Sequence, residues 1–420
     1  MRGLGPRFWR MYASSATSNL ADGVGRTALP LLAASYTRDP VLVAGLTTFA
    51  FLPWLLFALV SGALVDRSDR RYAMAAANAV RALSLGALAL ITALDAGSVA
   101  ILYVVAFLLG TAETVYDSAT RALLPQVVGR RDLDRANSLL TVEESLGQQF
   151  VGSPAGSALF ALAVTLPFAL NSAGFAVAAL LILTVRGVRR PERSAERTSV
   201  RADVAEGVRW LWRHRFLRGL TLVSGATCLV NSMVNGVLVL YVLEVLHLPA
   251  SSFGLVVLAA GVGALLGGVV TPWLGRVLGR ATALTGGAAL TAVTIGLMGM
   301  VSDGVVAALL FGAAAAGVMT WNVLTMSLRQ SLIPHAMFGR VQGAYRTVVW
   351  GAIPVGSLAG GAVASALGVA SVFVVSGAGL LVLAGVLGLL LRRHAAELTD
   401  QETAEEGTVG LTPTAAPPTG

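Results

Sequence analysis

Five ionisable residues lie in stretches of sequence that are otherwise apolar: Asp22, Arg26, Arg81, Glu113 and Asp117. Asp22 and Arg26 are four positions apart and share one face of a helix. A carboxylate in apolar surroundings is costly and indicates function by default. Because burial favours its neutral form and a nearby arginine its charged form, Asp22 could load a proton on one side of a membrane and release it on the other. A permanent Asp22–Arg26 or Asp22–Arg81 structural pair is the alternative.

A second set of charges occupies one helical face. Glu113, Asp117 and Arg121 follow one another at a spacing of four residues, and Glu143 and Glu144 come at the start of a later apolar segment. Glu113 is the deepest and is the second proton-coupling candidate. Proton transfer and a structural salt bridge are equally good interpretations of Asp117. For Glu143 and Glu144 a salt-bridge cluster with arginines of a neighbouring loop is the favoured interpretation, and proton transfer is the alternative.

Uncharged polar and aromatic side chains indicate a candidate substrate cavity. Amides and aromatic rings with few charges suit an amphipathic, mostly apolar ligand. The predicted cavity residues are Asn19, Asn231, Asn235, Trp321, Asn322, Tyr345 and the adjacent Arg346. Taken singly, each of these positions is explained better by ordinary packing.

Composition excludes several other kinds of chemistry. All 30 basic residues are arginine, so neither a phosphate-binding GxxxxGKT loop nor a Schiff-base lysine is possible. The single cysteine, Cys228, excludes a disulfide within the chain. The four histidines are scattered without metal-ligand spacing, and no Ser–His arrangement falls in the apolar segments. We therefore predict no enzyme activity, no cofactor and no metal.

The elements that position these residues are predicted to be membrane-spanning helices. Hydrophobic residues make up 55% of the chain and charged residues 12%, about half the charged share of a soluble domain. Apolar runs of about 20 residues cross a bilayer as helices, because lipid cannot satisfy open backbone groups. The predicted spans are 11–36, 41–65, 71–94, 99–121, 141–162, 164–186, 218–243, 252–274, 281–301, 305–328, 341–366 and 369–391. The predicted fold is an all-α membrane protein with twelve transmembrane helices.

The arginines predict the orientation of the chain. Twelve spans place both termini on one side, and 26 of the 30 arginines fall in the segments of that side. This is the positive-inside pattern, so both termini are expected in the cytoplasm of a multi-pass protein of the bacterial inner or plasma membrane. Topology and contacts with anionic lipids explain the net charge of +8, and a nucleic-acid partner is not predicted.

The chain is predicted to divide near its centre. The predicted regions are a cytoplasmic tail over residues 1–10, a six-helix bundle over 11–187, a cytoplasmic linker over 188–217, a second six-helix bundle over 218–391 and a disordered cytoplasmic tail over 392–420. In the linker Val200, Val204, Val208 and Leu211 repeat at helical spacing. This pattern predicts an amphipathic helix at the inner headgroups.

The two bundles share short sequence repeats. PAGS in predicted span 5 (154–157) matches PVGS in predicted span 11 (354–357), and RALLP (121–125) is mirrored by RQSLIP (329–334). Two six-helix repeats with a binding site between them are a known plan for transporters. We therefore predict two pseudo-symmetric halves.

The connection after predicted span 2 carries the most distinctive motif, GALVDRSDRR. Its glycine permits close helix approach, and an aspartate at a membrane boundary can pair with an arginine or a helix N-terminus. We interpret the motif as a conformational latch that holds one state and releases it in another, with simple anchoring of topology as the alternative. The latch residues are Gly62, Asp66, Arg67, Asp69, Arg70 and Arg71.

This loop resembles the signature between helices 2 and 3 of the major facilitator superfamily. Gly152-Ser-Pro154-Ala-Gly156 in predicted span 5 resembles the antiporter motif of that superfamily. RALLPQVVGRRDLDRANSL (121–139) and IPHAMFGRVQGAYR (333–346) resemble the branch of the enterobactin exporter and of macrolide and tetracycline efflux proteins. The resemblance implies alternating access, usually driven by protons. Span 4 lacks the mid-helix arginine of many drug–proton antiporters, so the proton route is not carried over from them.

The predicted function is secondary transport. We expect a proton-coupled exporter of a small amphipathic compound, such as a drug, an antibiotic or a siderophore, that acts as a monomer in the lipid bilayer. An importer or a lipid flippase of the same fold is an alternative. A non-transporting membrane sensor is another, although it would be expected to carry a folded soluble output domain.

Overall fold

The computed structural model describes residues 4–185, 200–334 and 337–394. Within these ranges, side chains are described for all residues except 58–64, 66, 67, 130 and 200–204. The described chain forms helices joined by short connections, and no strand occurs within these ranges.

Six helices form the N-terminal half. They are α1 (Gly5–Tyr36), α2 (Pro40–Arg67), α3 (Arg70–Ala93), α4 (Val99–Val127), α5 and α6 (Leu166–Leu183). Helix α5 runs without a break through an α-helical segment (Leu133–Ser145), a π-helical segment (Leu146–Gly152) and a second α-helical segment (Ser153–Leu162).

Seven helices follow in the C-terminal part of the chain. The first is α7 (Val200–Arg213), and α8 (Arg215–Leu240) continues into a π-helical turn (Tyr241–Val245). The others are α9 (Ala250–Leu278), α10 (Arg280–Met298), α11 (Gly304–Leu332), α12 (Phe338–Leu367) and α13 (Val369–Arg393).

The twelve predicted spans correspond to α1–α6 and α8–α13, and the predicted amphipathic helix corresponds to α7. The largest differences are at α4, which continues to Val127, and at α5, which begins at Leu133 rather than near residue 141. Helix α1 begins at Gly5, so part of the predicted N-terminal tail is helical. The predicted all-α fold with twelve long helices is confirmed.

Ten of the described helices are long and apolar enough to cross a bilayer by length and composition alone. The other two candidates, α1 and α5, are more polar or interrupted. Helix α1 carries Asn19, Asp22 and Arg26 along its middle, and the π-helical segment divides α5. Polar groups at this depth are tolerated where they face other helices rather than lipid, and α1 and α5 pack on each other and on further helices.

Side-chain caps and glycines set several helix ends. The Asp39 carboxylate accepts a hydrogen bond from the amide of Val41 at 2.8 Å where α2 begins, and such a cap satisfies an amide that has no partner within the helix. Gly279 and Gly368 have φ angles of 80° and 89°, in a region that glycine adopts without strain. Each joins two consecutive helices through one residue, and this keeps those connections short.

The helices form two six-helix bundles with matching packing. In the N-terminal bundle α1 packs on α5 and α6, α3 on α4 and α6, and α2 on α4. In the C-terminal bundle α8 packs on α12 and α13, α10 on α11 and α13, and α9 on α11. These pairs correspond helix by helix, so the predicted pseudo-repeat is confirmed.

The bundles meet mainly through two helix pairs, α2 with α12 and α5 with α9, and α2 also contacts α8. Ser157 Oγ of α5 donates a hydrogen bond to the carbonyl of Ser251 in α9 at 3.0 Å. Ser357 Oγ of α12 donates to the carbonyl of Ala44 in α2 at 2.7 Å. Ser157 and Ser357 hold equivalent positions in the PAGS and PVGS repeats, so the same contact is made twice across the interface.

These contacts lie at one end of the molecule. We call the end at which α1 begins and α13 finishes the terminal end, and the opposite end the far end. Ser251 and Ala44 lie close to the starts of α9 and α2, and both of these helices begin at the far end. Arg38 and Glu244 also form an ion pair of 3.5 Å at this end. The bundles are therefore joined at the far end.

Helix α7 packs on α12. Glu206 forms an ion pair of 2.6 Å with Arg340, and Leu211 is buried in the C-terminal bundle. Residues 188–199 of the predicted linker, residues 1–3 of the predicted N-terminal tail and residues 395–420 of the predicted C-terminal tail lie outside the described residues.

Candidate functional site

The charged residues predicted in the N-terminal bundle meet around one ion pair. Asp22 of α1 and Arg81 of α3 are 3.2 Å apart, and the Arg81 side chain is only 1% exposed. The guanidinium carbon of Arg81 lies 5.1 Å from the ring centre of Tyr116 and 5.3 Å from that of Phe175, where the ring faces attract a cation. Of the two pairs left open by the sequence, the structure contains Asp22–Arg81, and Arg26 is exposed.

A small polar cavity of about 90 Å³ lies beside this pair, among α1, α3, α4 and α5. Asp117 forms an ion pair with Arg121 at 3.5 Å, but the two side chains are 40% and 59% exposed, so solvent weakens their attraction. The charged residues that line the cavity are Asp22, Arg81, Glu113, Asp117 and Glu144. The predicted coupling residues, Arg26 excepted, therefore surround one space.

Asn19 and Glu143 lie in places that differ from the predictions. Asn19 Nδ2 donates to the Glu143 carboxylate, at 3.0 Å from Oε1 and 3.3 Å from Oε2, and Gln148 Nε2 donates to Asn19 Oδ1 at 3.0 Å. Asn19 thus lines the polar cavity of the N-terminal bundle, away from the other predicted substrate residues. Glu143 is buried, and it forms no ion pair with an arginine among the described residues. The predicted salt-bridge cluster is not found for Glu143 in this part of the chain.

The C-terminal bundle contains a larger cavity of about 290 Å³, among α8, α10, α11, α12 and α13. Five of the seven predicted substrate residues line it: Asn231, Asn235, Trp321, Asn322 and Tyr345. Cys228 and Trp350 line it as well, and none of its described lining residues is charged. The cavity offers aromatic faces and amide groups, the mixture that suits an amphipathic ligand.

A neighbouring cavity of about 250 Å³ connects this site to the bundle interface. It shares Asn231, Asn235 and Asn322 with the larger cavity, and Gln149 of α5 contributes to it from the N-terminal bundle. The amides of α8 and α11 therefore lie between the aromatic cavity and the plane where the two bundles meet.

Two arginines lie beside the aromatic cavity. The guanidinium carbon of Arg346 is 5.4 Å from the ring centre of Trp350, and that of Arg329 is 3.8 Å from the ring centre of Tyr345. Arg329 is buried, and the sequence prediction did not include it as a site residue. The RQSLIP repeat, which mirrors the segment that begins with Arg121, was the signal that could have found it.

The loop between α2 and α3 is held within the N-terminal bundle. Asp69 caps α3 and accepts from Arg71 Nη2 at 2.7 Å, while Arg71 Nη1 donates to the carbonyl of Val185, just after α6, at 2.7 Å. Arg70 of the predicted latch is the first residue of α3. Gly62, Asp66 and Arg67 belong to α2, and the side chains at these three positions lie outside the described part. In this conformation the described latch contacts tie α3 to α6.

The antiporter-like motif of α5 packs on two helices. Gly152 lies against Gly23 of α1, and a Cβ atom at Gly156 would overlap the backbone of Val24. On the other side, Gly254 of α9 lies against Pro154. Small residues permit such close helix approach, so this segment joins α1 to the interface with the second bundle.

The sequence of this chain matches the model of one protein family. The model described as transmembrane secretion effector matches residues 6–411, nearly the whole chain. The chain belongs to the transmembrane secretion effector family. This family is part of the major facilitator superfamily, in agreement with the resemblance of the α2–α3 loop.

The relatives of this chain include named exporters. It is 28% identical to the multidrug efflux pump Tap of Mycolicibacterium fortuitum, over 93% of this chain and 96% of that protein. It is 25% identical to the enterobactin exporter EntS of Citrobacter koseri, over 92% of both chains.

Solved structures show the same fold at lower sequence identity. The nucleoside transporter NupG aligns with a TM-score of 0.77 at 11% identity, over 92% of this chain and 99% of that chain. A bacterial homologue of the iron transporter ferroportin in its inward-facing state aligns with a TM-score of 0.74 at 18% identity, over 93% of this chain and 99% of that chain. The chain thus has the fold of the major facilitator transporters.

Proposed function

We propose that this protein is a proton-coupled exporter of a small amphipathic compound, such as a drug or a siderophore, that works by alternating access. The observation that carries the proposal is the contrast between two cavities in one pseudo-symmetric molecule. An uncharged aromatic and amide cavity in the C-terminal bundle suits the substrate, and a cavity with four carboxylates in the N-terminal bundle suits protons. The names of the relatives Tap and EntS support export of compounds of this kind.

The arginine distribution supports a placement of the terminal end in the cytoplasm. Arginines concentrate in the tails and connections of that end, as the positive-inside rule requires of cytoplasmic segments. On this orientation the far end, where the bundles are joined, faces outwards, and we infer that the present conformation is open to the cytoplasm. An exporter loads its substrate in such a state. One chain contains both bundles and both cavities, so the proposed working unit is a monomer in the cell membrane.

The coupling proton is proposed to be held in the N-terminal bundle. The carboxylates predicted from the sequence, Asp22, Glu113 and Asp117, all line its cavity. Arg81 and Arg26 are the arginines proposed to influence their charge. The latch loop is proposed to break its contacts with α6 when the terminal end closes, because those contacts fix one arrangement of α3 and α6 in the present state.

Inverted membrane vesicles provide the test. They are loaded with a pH-sensitive dye and acidified inside, and candidate amphipathic compounds are added outside. Antiport predicts that a substrate causes protons to leave the lumen, and vesicles without the protein give the background. If a wide panel of compounds causes no proton movement although insertion of the protein is verified, the exporter proposal is wrong and a sensor becomes the better interpretation. Proton movement with the opposite sign would indicate symport and import.

Substrate placement is tested by Asn322→Leu. The Asn322 side chain is exposed within the cavity, and loss of one hydrogen bond to substrate is expected to cost about 0.5–1.5 kcal/mol, or about 2–10-fold in affinity. Asn137→Leu, at an exposed position of α5 away from both cavities, is the control. Substrate quenching of tryptophan fluorescence measures the dissociation constant. Equal constants for the two variants would remove Asn322 from the binding site.

A further inference from the structure

Glu143 is a buried carboxylate for which the sequence favoured a salt bridge over proton transfer. Its residue is 5% exposed, and the Asn19 amide is the group that donates to both of its oxygens. An ionised carboxylate in such a place is strongly disfavoured unless a cation balances it. The immediate partners of Glu143 are neutral.

The charges on the surrounding helices do not balance Glu143. Helix α1 presents Asp22 and α3 presents Arg81, but these two are bound to each other at 3.2 Å. Helix α4 presents Glu113 and Asp117, and the nearest arginine of that helix, Arg121, is 3.5 Å from Asp117. Helix α5 itself adds Glu144, a further negative group. Arg81 and Arg121 therefore each already have a carboxylate partner other than Glu143.

We propose that Glu143 is the carboxyl group that carries the exchanged proton, and that Asp22–Arg81 is a permanent structural pair. This inference rests on the proton coupling proposed above, but it assigns the proton to Glu143, next to the cavity, in place of Asp22, Glu113 and Asp117, which line it. One proton adds to a carboxylate oxygen of Glu143 from water at the far end when the transporter is open there. The same proton leaves to water at the terminal end, and no other bond is made or broken.

Asn19 and Gln148 are the positioning residues of this site. Both line the small polar cavity, whereas Glu143 lies behind them, and Gln148 Nε2 donates to Asn19 Oδ1 at 3.0 Å. The linked amides separate the Glu143 carboxyl from the water of the cavity. Gln148 belongs to the π-helical segment that begins at Leu146, one turn after Glu143. Such segments are frequent at functional sites, and a change of this one to α-helical geometry would move Gln148 away from Asn19 and expose the carboxyl.

Infrared difference spectroscopy tests the protonation directly. The full chain in liposomes is titrated with pH, and the carbonyl stretch of a buried protonated carboxylic acid is followed. We expect this band in the wild type, its loss in Glu143→Gln, and its retention in Asp22→Asn. Asp134→Asn, at an exposed position of the same helix, is the matched control and also keeps the band. Absence of the band from the wild type, or its persistence in Glu143→Gln, overturns the proposal.

Transport gives the second readout. In the inverted-vesicle assay Glu143→Gln is expected to lose substrate-dependent proton release at least 10-fold, while exchange of labelled for unlabelled substrate continues. Coupled release at the wild-type rate in Glu143→Gln overturns the inference. If the infrared band behaves as expected but the wild type moves no protons with any substrate, the proposed function fails and the protonation site stands. Glu143→Asp keeps a carboxyl group and is expected to retain the infrared band and coupled proton release. This variant still tests the proposal if the Glu143→Gln protein does not fold.

Asn19→Ala separates positioning from simple packing. Removal of the amide takes away the donor that stabilises the Glu143 anion, so proton release should require a more alkaline medium. The pH profile of coupled transport is expected to shift upwards, with substrate affinity unchanged within about twofold. A uniform loss of activity at every pH would show that Asn19 serves only to pack α1 on α5.

Discussion

In the N-terminal bundle, Asp22 of α1 pairs with the buried Arg81 of α3, and Asn19 of α1 donates to the carboxylate of Glu143. The equivalent helices of the C-terminal bundle, α8 and α10, place Asn231, Asn235 and Thr291 around a cavity without charged lining among its described residues. The backbones of the two bundles pack in the same way, and their interiors carry different chemistry.

The difference shows how two repeats of one fold can take different roles. Positions that join helices are kept alike in both halves, as with Gly156 and Gly356 or Ser157 and Ser357. Positions that face the cavities differ, because a charge in the membrane interior persists only where a partner or a function supports it. Carboxylates line the cavity of the half proposed to bind protons, and amides and aromatic rings without carboxylates line the larger cavity of the half proposed to bind substrate.

The largest loss of stability is expected from substitution of the buried Arg81, and the buried Arg329 of the other bundle is its comparison. Arg81→Gln leaves the Asp22 carboxylate without its partner, and breaking such a pair costs about 3–5 kcal/mol. Arg329→Gln in the C-terminal bundle removes a cation stacked on Tyr345, without an ion pair among the described residues, and should cost about 0.5–2 kcal/mol. Thermal unfolding in detergent, followed by tryptophan fluorescence, measures both changes.

The double variant Asp22→Asn with Arg81→Gln is the control for this comparison. Both charges are then absent, so it should recover a large part of the stability that Arg81→Gln loses. Equal destabilisation by Arg81→Gln and Arg329→Gln would show that the two bundles do not differ in the way described.

An intermediate effect is expected at the equivalent glycines of α5 and α12. A Cβ atom at Gly156 would overlap the backbone of Val24, and one at Gly356 that of Leu229. Each substitution by alanine should cost about 1–3 kcal/mol, as overpacking does. Gly385→Ala is the matched control, since no atom lies within 4 Å of a Cβ atom built there. If one of the two positions accepted alanine as Gly385 does, the matching of the two bundles would not extend to this contact.

The smallest effect is expected from the two serines at the interface. Ser157→Ala and Ser357→Ala each remove one hydrogen bond between the bundles, worth about 0.5–1.5 kcal/mol. The state closed at the far end should lose population by about 2–10-fold in each variant. Distances between spin labels placed on the α1–α2 and α8–α9 connections measure that population. Opposite shifts in the two variants would contradict the equivalence of the two contacts.

Much of this structure was predictable from the sequence, because hydrophobic runs, arginine placement and repeats act over long segments. The span limits agree closely, and caps such as Asp39 and glycines such as Gly279 explain where helices begin and end. The cavity amides Asn231 and Asn235 were identified because they share a helical face. Their spacing places them together without any knowledge of other helices.

Contacts between helices were not predictable in the same way. Asn19 reaches Glu143 only because α1 and α5 cross at Gly23 and Gly152 and because a π-helical segment alters the direction of side chains on α5. Neither the crossing nor the π-helical segment leaves a periodic signal in the sequence. For the same reason, Glu143 and Glu144 are indistinguishable as a sequence pair, although one is buried and the other exposed.

The position of the single cysteine has a practical consequence. Cys228 lines the aromatic cavity and is the only thiol in the chain, so the natural protein already serves as its own single-site labelling variant. A small maleimide should modify it when the cavity is empty and more slowly when a ligand fills it. Protection of this thiol would allow a search for transported compounds without any engineered reporter.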